Sequence, residues 1–128
     1  MRLSQIGELQ IGNIYDTTMI TIEEYLSDNG ESPFRRWFDD LDAQAAAIVT
    51  VAIDRLSEGN TSNVKSIGEG AVELRIDRGP GYRIYFGWDG AVLVILLGGG
   101  TKRRQQSDIE AALRRWRDYK ARKSGKRK

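Results

Sequence analysis

Apolar and polar residues alternate through much of the second half of the chain, in four runs separated by glycine-containing turns. A period of two is typical of β-strands that bury one face. The pattern predicts strands over residues 64–67, 71–77, 82–87 and 91–98, arranged as a β-meander. The last run is apolar almost throughout, which indicates an interior strand covered at least partly on both faces. A further strand begins at Met19 and is expected to join the same sheet.

Helical spacing occurs before and after this meander. Ser32-Pro33 predicts the start of a helix over residues 33–40, because serine caps free amides and proline fits the first turn. Apolar residues three and four apart between 41 and 56 predict a second helix, with Asp42 as its cap. A third helix is predicted over about 106–120. The class is therefore α+β, with two N-terminal helices and one C-terminal helix on a mainly antiparallel sheet. Three aromatic residues of the first helix are assigned to the core: Phe34, Trp37 and Phe38.

The predicted hairpin over Glu73–Phe86 has the most informative pattern. Apolar residues alternate with charged or polar ones in both of its arms. Its connection, Gly79-Pro80-Gly81, has one fixed φ between two residues that tolerate positive φ, which predicts a tight antiparallel turn. This register places Arg75, Arg83 and Tyr85 on one outward-facing surface that suits an anion.

Charge is distributed unevenly, although the net charge is only +2. Residues 1–60 contain four basic and eleven acidic side chains, whereas residues 61–128 contain sixteen and seven. The basic excess lies in residues 102–128, with twelve basic and three acidic side chains. Such a density favours polyphosphate partners and accelerates encounter with them at low salt. For residues 120–128 alone, a solvated tail is the preferred interpretation.

The composition excludes several kinds of chemistry. With no cysteine and no histidine, the chain lacks disulfides, thiolates and the commonest general base, so catalysis has to use Lys, Arg, Tyr, Asp or Glu. It has neither a membrane-length apolar run nor a secretory leader, which predicts a cytoplasmic location. Its length predicts one domain over 19–120, with an N-terminal extension over 1–18 and a basic tail over 121–128. Met19 is an alternative start of the protein.

Four cations from different predicted segments are expected to converge at one site: Lys65, Arg75, Arg83 and Lys102. Phosphate recognition uses the forked donors of arginine and the mobile charge of lysine. Tyr85 adds a ring for stacking or a hydroxyl for proton transfer. An alternative that the pattern supports equally is cross-strand ion pairing with Glu73 and Asp77, which is common on exposed sheet faces.

Two other motifs are interpreted as structural. The run from Gly98 to Lys102 lacks the G-x-x-x-x-G-K-[ST] spacing of a nucleotide-binding loop, so its glycines are expected to end the central strand. Asp39, Asp40 and Asp42 surround a helix junction, where capping explains them better than a metal cluster does. Neither a metal nor a cofactor is predicted.

Three segments resemble those of a known family: SPFRRWFDDL, VKSIGEGAVELRIDRGPGYRIYFG and GGGTKRRQQSDIEAAL. Their order, over about Tyr25 to Tyr119, resembles the HigB-like branch of the RelE/ParE toxin superfamily, the phage-associated addiction-module killers. The resemblance implies a RelE/ParE-like α+β fold with a twisted, mainly antiparallel sheet. It also implies a type II toxin whose partner is an antitoxin, usually a small helix-turn-helix protein.

Similar toxins cut messenger RNA, typically on the ribosome, by metal-independent attack of a ribose 2′-hydroxyl on the neighbouring phosphate. By motif, Arg83 matches the active-site arginine, Arg75 and Lys102 match basic positions, and Lys65 matches less securely. No tyrosine of the last helix matches the one that some relatives have near the site. Proton transfer is assigned to one of four side chains: Lys65, Lys102, Tyr85 and Glu73. Further RNA contacts are expected from four arginines: Arg78, Arg103, Arg104 and Arg114.

Two other functions remain open at this stage. A ParE-like toxin that binds DNA gyrase, without chemistry of its own, would use the same scaffold. A module that only binds nucleic acid is the third possibility. The expected group of cations on an open sheet face favours the nuclease.

Overall fold

The computed structural model describes residues 19–125 as one five-stranded sheet with helices on both faces. The predicted extension over residues 1–18, and the last three residues of the predicted tail, lie outside the described residues. Across residues 19–125, every helix is too short or too polar to cross a membrane.

The strands and helices follow the predicted order. The strands are β1 (Thr21–Glu24), β2 (Val64–Gly68), β3 (Ala71–Ile76), β4 (Tyr82–Asp89) and β5 (Leu93–Thr101). The helices are α1 (Pro33–Asp39), α2 (Ala43–Ser57) and α3 (Gln105–Lys123), and a 3₁₀ turn at Lys102–Arg104 leads into α3. The α+β class and the predicted elements are therefore confirmed.

The strand order in the sheet is β1-β5-β4-β3-β2. β1 runs parallel to β5, and the remaining neighbours pair antiparallel, which confirms the mainly antiparallel sheet and the place of the first strand in it. β5 lies between β1 and β4, so the prediction of an interior strand is also confirmed.

The N-terminal helices pack on one face of the sheet. Ser32 caps α1 through a hydrogen bond from the Arg35 amide, and Asp42 caps α2 through the Ala45 amide, as the sequence predicts. Phe34 is buried among apolar residues of α2 and the strands, and Trp37 and Phe38 pack against the same cluster. These contacts confirm that the three aromatic residues belong to the core.

The C-terminal helix covers the opposite face. Ala112 and Trp116 of α3 are buried against a second cluster that includes Tyr85 of β4 and Ile95 of β5. The Trp116 ring lies directly over Gly87, where an added Cβ would come within 2.5 Å of it. This helix therefore encloses the sheet face to which odd-numbered residues of β4 point.

The ends of β5 and α3 lie three residues beyond those predicted, and most other boundaries shift by one or two residues. β5 continues to Thr101, because Gly99, Gly100 and Thr101 go on pairing with β4, so the prediction that the glycines end the strand is wrong. α3 extends to Lys123, into the segment predicted as a tail.

The hairpin between β3 and β4 has the predicted turn and register. Gly79 and Gly81 both have positive φ, at 54° and 77°. Arg75 is paired directly with Arg83, and Glu73 with Tyr85, so the four side chains belong to one face.

Candidate active site

The sheet register brings the predicted site residues to one face at one end of the sheet. Lys65, Glu73 and Tyr85 form one row across β2, β3 and β4, and Arg75 and Arg83 form the next. Lys102 adjoins the second row, since its amide donates to the Gly81 carbonyl at 2.9 Å. The predicted convergence of these residues is therefore present in the backbone geometry.

Half of these side chains are enclosed, so the predicted outward-facing surface is wrong. Arg83 and Glu73 are each 1% exposed, and Tyr85 is fully buried. The reason is the path of α3, whose first turn and apolar stripe cover this face of the sheet. Alternation along a strand separates its two faces, but it does not indicate which of them another element covers.

Arg83 lies beside Glu73 in this enclosed region. Arg83 Nε is 4.0 Å from Glu73 Oε1, and the Gln105 side-chain amide donates to Glu73 Oε2 at 2.8 Å. Arg83 Nη1 donates to the carbonyl oxygens of Gly81 and Tyr82, each at 3.3 Å. Arg83 Nε itself has no hydrogen-bond partner among the described residues. The cluster is therefore compact, but one hydrogen-bond donor of its arginine has no acceptor among the described residues.

Tyr85 is a poor proton donor or acceptor where it stands. Its hydroxyl is buried close to the Glu73 carboxylate but makes no hydrogen bond of good geometry in the described part of the chain. Burial raises the Tyr85 pKa well above its usual range, and the neighbouring charge of Glu73 raises it further. The hydroxyl therefore stays neutral at physiological pH.

The other basic candidates are exposed, and most of them surround the same end of the sheet. We call Lys65, Arg75, Arg78, Lys102, Arg103 and Arg104 the cation cluster. Between residues 19 and 125, none of its members has a carboxylate within 4.0 Å. Arg114 is also exposed, but it lies about 13 Å further along α3 than Gln105.

Basic residues at the far end of α3 are neutralised instead. Arg117 pairs with Glu69, Arg122 with Asp118, and Lys123 with Asp89. The alternative of cross-strand ion pairing therefore holds for Arg83, whose partner is Glu73. It does not hold for Arg75, because no ion pair joins it to Asp77 within the described residues.

The last helix does contain a tyrosine, but it lies away from the cluster. The Tyr119 hydroxyl donates to Asp89, at the other end of β4 from Arg83. Burial, together with the hydrogen bond to Asp89, raises the Tyr119 pKa to about 12.

Sequence reasoning missed the purpose of the three glycines at the end of β5. An added Cβ would lie 2.6 Å from Arg115 Nη1 at Gly98, 2.2 Å from the Trp37 ring at Gly99 and 2.0 Å from Asp108 Oδ2 at Gly100. The glycines let three side chains from α1 and α3 press directly onto the strand. A glycine run inside a strand is itself a signal of such close approach.

The acidic residues around the α1–α2 junction do not form a metal centre. Asp42 caps α2, and Asp40 ends α1. Over the described range, no three acidic side chains come together as metal ligands would.

Residues 36–117 match the sequence model of the family described as phage-derived protein Gp49-like (DUF891). The chain belongs to this family. An uncharacterised protein of Haemophilus influenzae (strain ATCC 51907 / DSM 11121 / KW20 / Rd) is 45% identical over 80 residues, which span 62% of this chain and 81% of that protein. Gp49-like proteins are a family of RelE type.

A solved structure supports the same superfamily at the level of fold. An arginine-to-alanine double mutant of the E. coli toxin RelE, in the free state, matches with a TM-score of 0.57 and 14% identity. The match covers 76% of this chain and 97% of the RelE chain. Together, the family and the fold support membership of the RelE/ParE-like superfamily and indicate a toxin of the toxin–antitoxin type.

Proposed function

We propose that this protein is a HigB-like toxin of a type II toxin–antitoxin module, and that it cleaves messenger RNA on the ribosome, in the cytoplasm. The observation that supports this most strongly is the cation cluster, whose exposed side chains surround the end of the sheet that holds Arg83. RNA has a negative charge on every phosphate, so unneutralised cations attract it.

The proposed reaction is attack of a ribose 2′-hydroxyl on the adjacent phosphate. The new bond joins the 2′-oxygen to phosphorus, the bond to the 5′-oxygen breaks, and a 2′,3′-cyclic phosphate and a 5′-hydroxyl result. A base removes the 2′-proton, cations stabilise the phosphorane, and an acid protonates the leaving oxygen. Arg75 and Arg83 supply the positive charge, since guanidinium stays protonated and does not transfer protons.

Proton transfer is assigned to Lys65 and Lys102. Glu73 and Tyr85 are enclosed, and the raised pKa of Tyr85 makes it a weak acid. The two lysines are exposed members of the cation cluster, so both are accessible to a bound RNA. In this account Glu73 orients Arg83 and does not touch the substrate.

Arg83 reaches the phosphate when the first turn of α3 moves. Neither Thr101, before the 3₁₀ turn, nor Arg104, before α3, makes a side-chain capping hydrogen bond, so the turn is held to the hairpin through the Lys102 amide and the Gly81 carbonyl. Only the Gln105 side chain links it to Glu73 by a hydrogen bond within the described residues. RNA bound to the cation cluster displaces Gln105 and satisfies the unpartnered Arg83 Nε.

The partner that restrains this activity is a cognate antitoxin, which we propose to be a small helix-turn-helix protein. The surface gives it two different regions to bind. Acidic residues are exposed on the α1–α2 hairpin, whereas the cation cluster surrounds the end of the sheet that holds Arg83. An antitoxin that covered the cation cluster would compete directly with RNA.

The test is to map transcript 5′ ends shortly after induction in cells. Wild-type protein should create new ends. Arg75→Ala should remove most of them, because Arg75 supplies positive charge to the phosphate. Arg75 is exposed, so its loss should leave the fold intact. Arg117→Ala is the matched control, since Arg117 is an exposed arginine neutralised by Glu69. New ends that persist unchanged in Arg75→Ala would contradict the proposed site.

The enclosure of Arg83, Glu73 and Tyr85 favours one alternative function. A ParE-like inhibitor of DNA gyrase would need no open catalytic site, and a fully enclosed cluster suits it. Toxicity with intact transcripts and with relaxed or broken DNA would select this alternative. RNA binding with neither outcome would indicate a module that only binds nucleic acid.

A further inference from the structure

A cavity lies at the edge of the sheet, beside the glycines at the end of β5. It has a volume of about 520 Å³ and lies between α1 and α3, at the edge of β5 beyond the end of β1. Its lining includes Trp37, Asp108 and Arg115, together with Tyr25 and Gly99. Three further charged side chains also line it: Glu31, Arg36 and Asp40. The proposed reaction uses none of these residues.

Three consecutive glycines of β5 allow side chains that line the cavity to lie close to the strand. Gly98, Gly99 and Gly100 are the residues against which Arg115, Trp37 and Asp108 press, in that order. Any side chain at these positions would push a lining group away from the strand. Close packing against the strand therefore holds three lining side chains of the cavity in place.

The polar groups of the cavity are available to a ligand. The Asp108 carboxylate accepts no hydrogen bond from residues 19–125, although it is partly buried. Burial raises the Asp108 pKa, and the positive charges of Arg104 and Arg115 lower it. Arg115 uses Nη1 to donate to the Leu97 carbonyl at 2.9 Å and has further N–H groups. Asp108 and Arg115 reach the cavity from the α3 face of β5, and the Trp37 indole reaches it from the α1 face, so an acceptor, a donor and an aromatic ring meet around the edge of this strand.

We propose that this cavity binds a guanine base. Guanine has two adjacent donors, N1–H and N2–H, that a carboxylate accepts together, and its O6 and N7 accept from arginine. Adenine presents an N1 lone pair where guanine has its N1–H, so it faces Asp108 unfavourably. Cytosine and uracil each offer a single donor position. An aromatic wall such as Trp37 suits any flat base and adds no selectivity.

The position of the cavity makes it part of the same RNA site, an assignment that rests on the proposed function. Gly100, beneath Asp108, is paired directly with Arg83, and paired Cα atoms are about 5 Å apart. The 3₁₀ turn at Lys102–Arg104, which holds three members of the cation cluster, joins the end of β5 beside the cavity to the start of α3. An RNA strand that crosses this turn contacts both the cation cluster and the cavity, so the cavity selects the sequence near the cut.

The test measures binding of guanosine and adenosine 5′-monophosphates to the full chain by NMR titration. We expect the guanine nucleotide to bind at least tenfold more tightly and to shift the Trp37 indole resonance. Asp108→Asn should reduce that preference to about twofold or less, since a bidentate contact provides about 1–3 kcal/mol of discrimination. Glu110→Gln is the matched control, because Glu110 is an exposed carboxylate of the same helix.

Equal binding of the two nucleotides to the wild type would overturn the inference, and so would an unchanged preference in Asp108→Asn. The nucleotide titration requires no cleavage, so it separates this inference from the proposed function. Guanine preference without RNA cleavage would remove the nuclease and keep the base site. Cleavage without guanine preference would remove the base site and keep the nuclease.

Discussion

Arg83 and Glu73 are diagonal neighbours on adjacent strands, with Arg83 Nε 4.0 Å from Glu73 Oε1 and both side chains at most 2% exposed. Glu73 therefore neutralises the enclosed arginine and leaves the exposed Arg75 without a carboxylate. The sheet thus holds one neutralised and one free arginine side by side. In our account the free one captures the phosphate, and the enclosed one stabilises the charge that develops later.

The first prediction concerns the stability of this ion pair. Glu73→Leu and Arg83→Met should each lower the free energy of unfolding by about 3–5 kcal/mol, because each leaves a buried charge without its partner. The double variant should recover most of that loss. Urea denaturation measures all three.

Arg75→Ala is the control for these variants, with an expected change of about 0.5 kcal/mol or less, since Arg75 is exposed and unpaired. Additive losses in the double variant would show that the two enclosed charges do not interact, and the account of Arg83 would then fail.

The second prediction concerns the buried hydroxyl of Tyr85. Tyr85→Phe should raise the free energy of unfolding by about 1 kcal/mol, because it removes a buried polar group that has no partner among the described residues. Tyr25→Phe should do the opposite, since the Tyr25 hydroxyl donates to Asp118 at 2.6 Å. RNA cleavage should persist in Tyr85→Phe. Loss of cleavage at unchanged stability would assign proton transfer to Tyr85 instead.

The third prediction is a pH dependence that arises from Asp108. Burial raises its pKa in the folded state, so the folded protein favours the protonated form. Its contribution to stability is complete below the usual pKa of about 3.9 and is lost as pH rises through the folded-state pKa. Asp108→Asn, which does not ionise, should therefore melt at a higher temperature than wild type at pH 7. The difference should disappear near pH 3, and a difference that grew on acidification would contradict the assignment.

The fourth prediction concerns salt. If the cation cluster binds RNA phosphates, the logarithm of the binding constant falls with the logarithm of salt concentration, by about 0.7 per phosphate contacted. Arg103→Ala and Arg104→Ala should each reduce the steepness by about 0.7. Arg117→Ala should leave it unchanged, because Glu69 already neutralises that arginine. Equal effects of all three substitutions would indicate nonspecific attraction to the whole basic half of the chain.

The fold could be predicted from the sequence because local signals determine its elements. Alternation predicted the four later strands, and the two caps Ser32 and Asp42 predicted the helix starts. The turn at Gly79-Pro80-Gly81 predicted an antiparallel hairpin with Arg75, Arg83 and Tyr85 on one face, which the register confirms. Each of these signals acts over a few residues, so a single sequence is enough to predict the structure that each one favours.

Enclosure of the site could not be predicted in the same way. The position of Arg83 under α3 depends on where a helix twenty residues later in the chain crosses the sheet, and periodicity does not encode that path. The third helix was predicted from the sequence, but both sheet faces offered apolar residues against which it could pack. The glycines of β5 were misread for a related reason, because their packing partners come from two other elements.

The most direct test of the central claim compares two ribosome-bound messages with the purified protein. One is entirely ribose, and the other has a single 2′-deoxynucleotide on the 5′ side of the bond that is cut in the first. Our account predicts cleavage of the first message, with a 2′,3′-cyclic phosphate and a 5′-hydroxyl as its new ends, and no cleavage at that position in the second. Equal cleavage of both messages, or of neither, would contradict it.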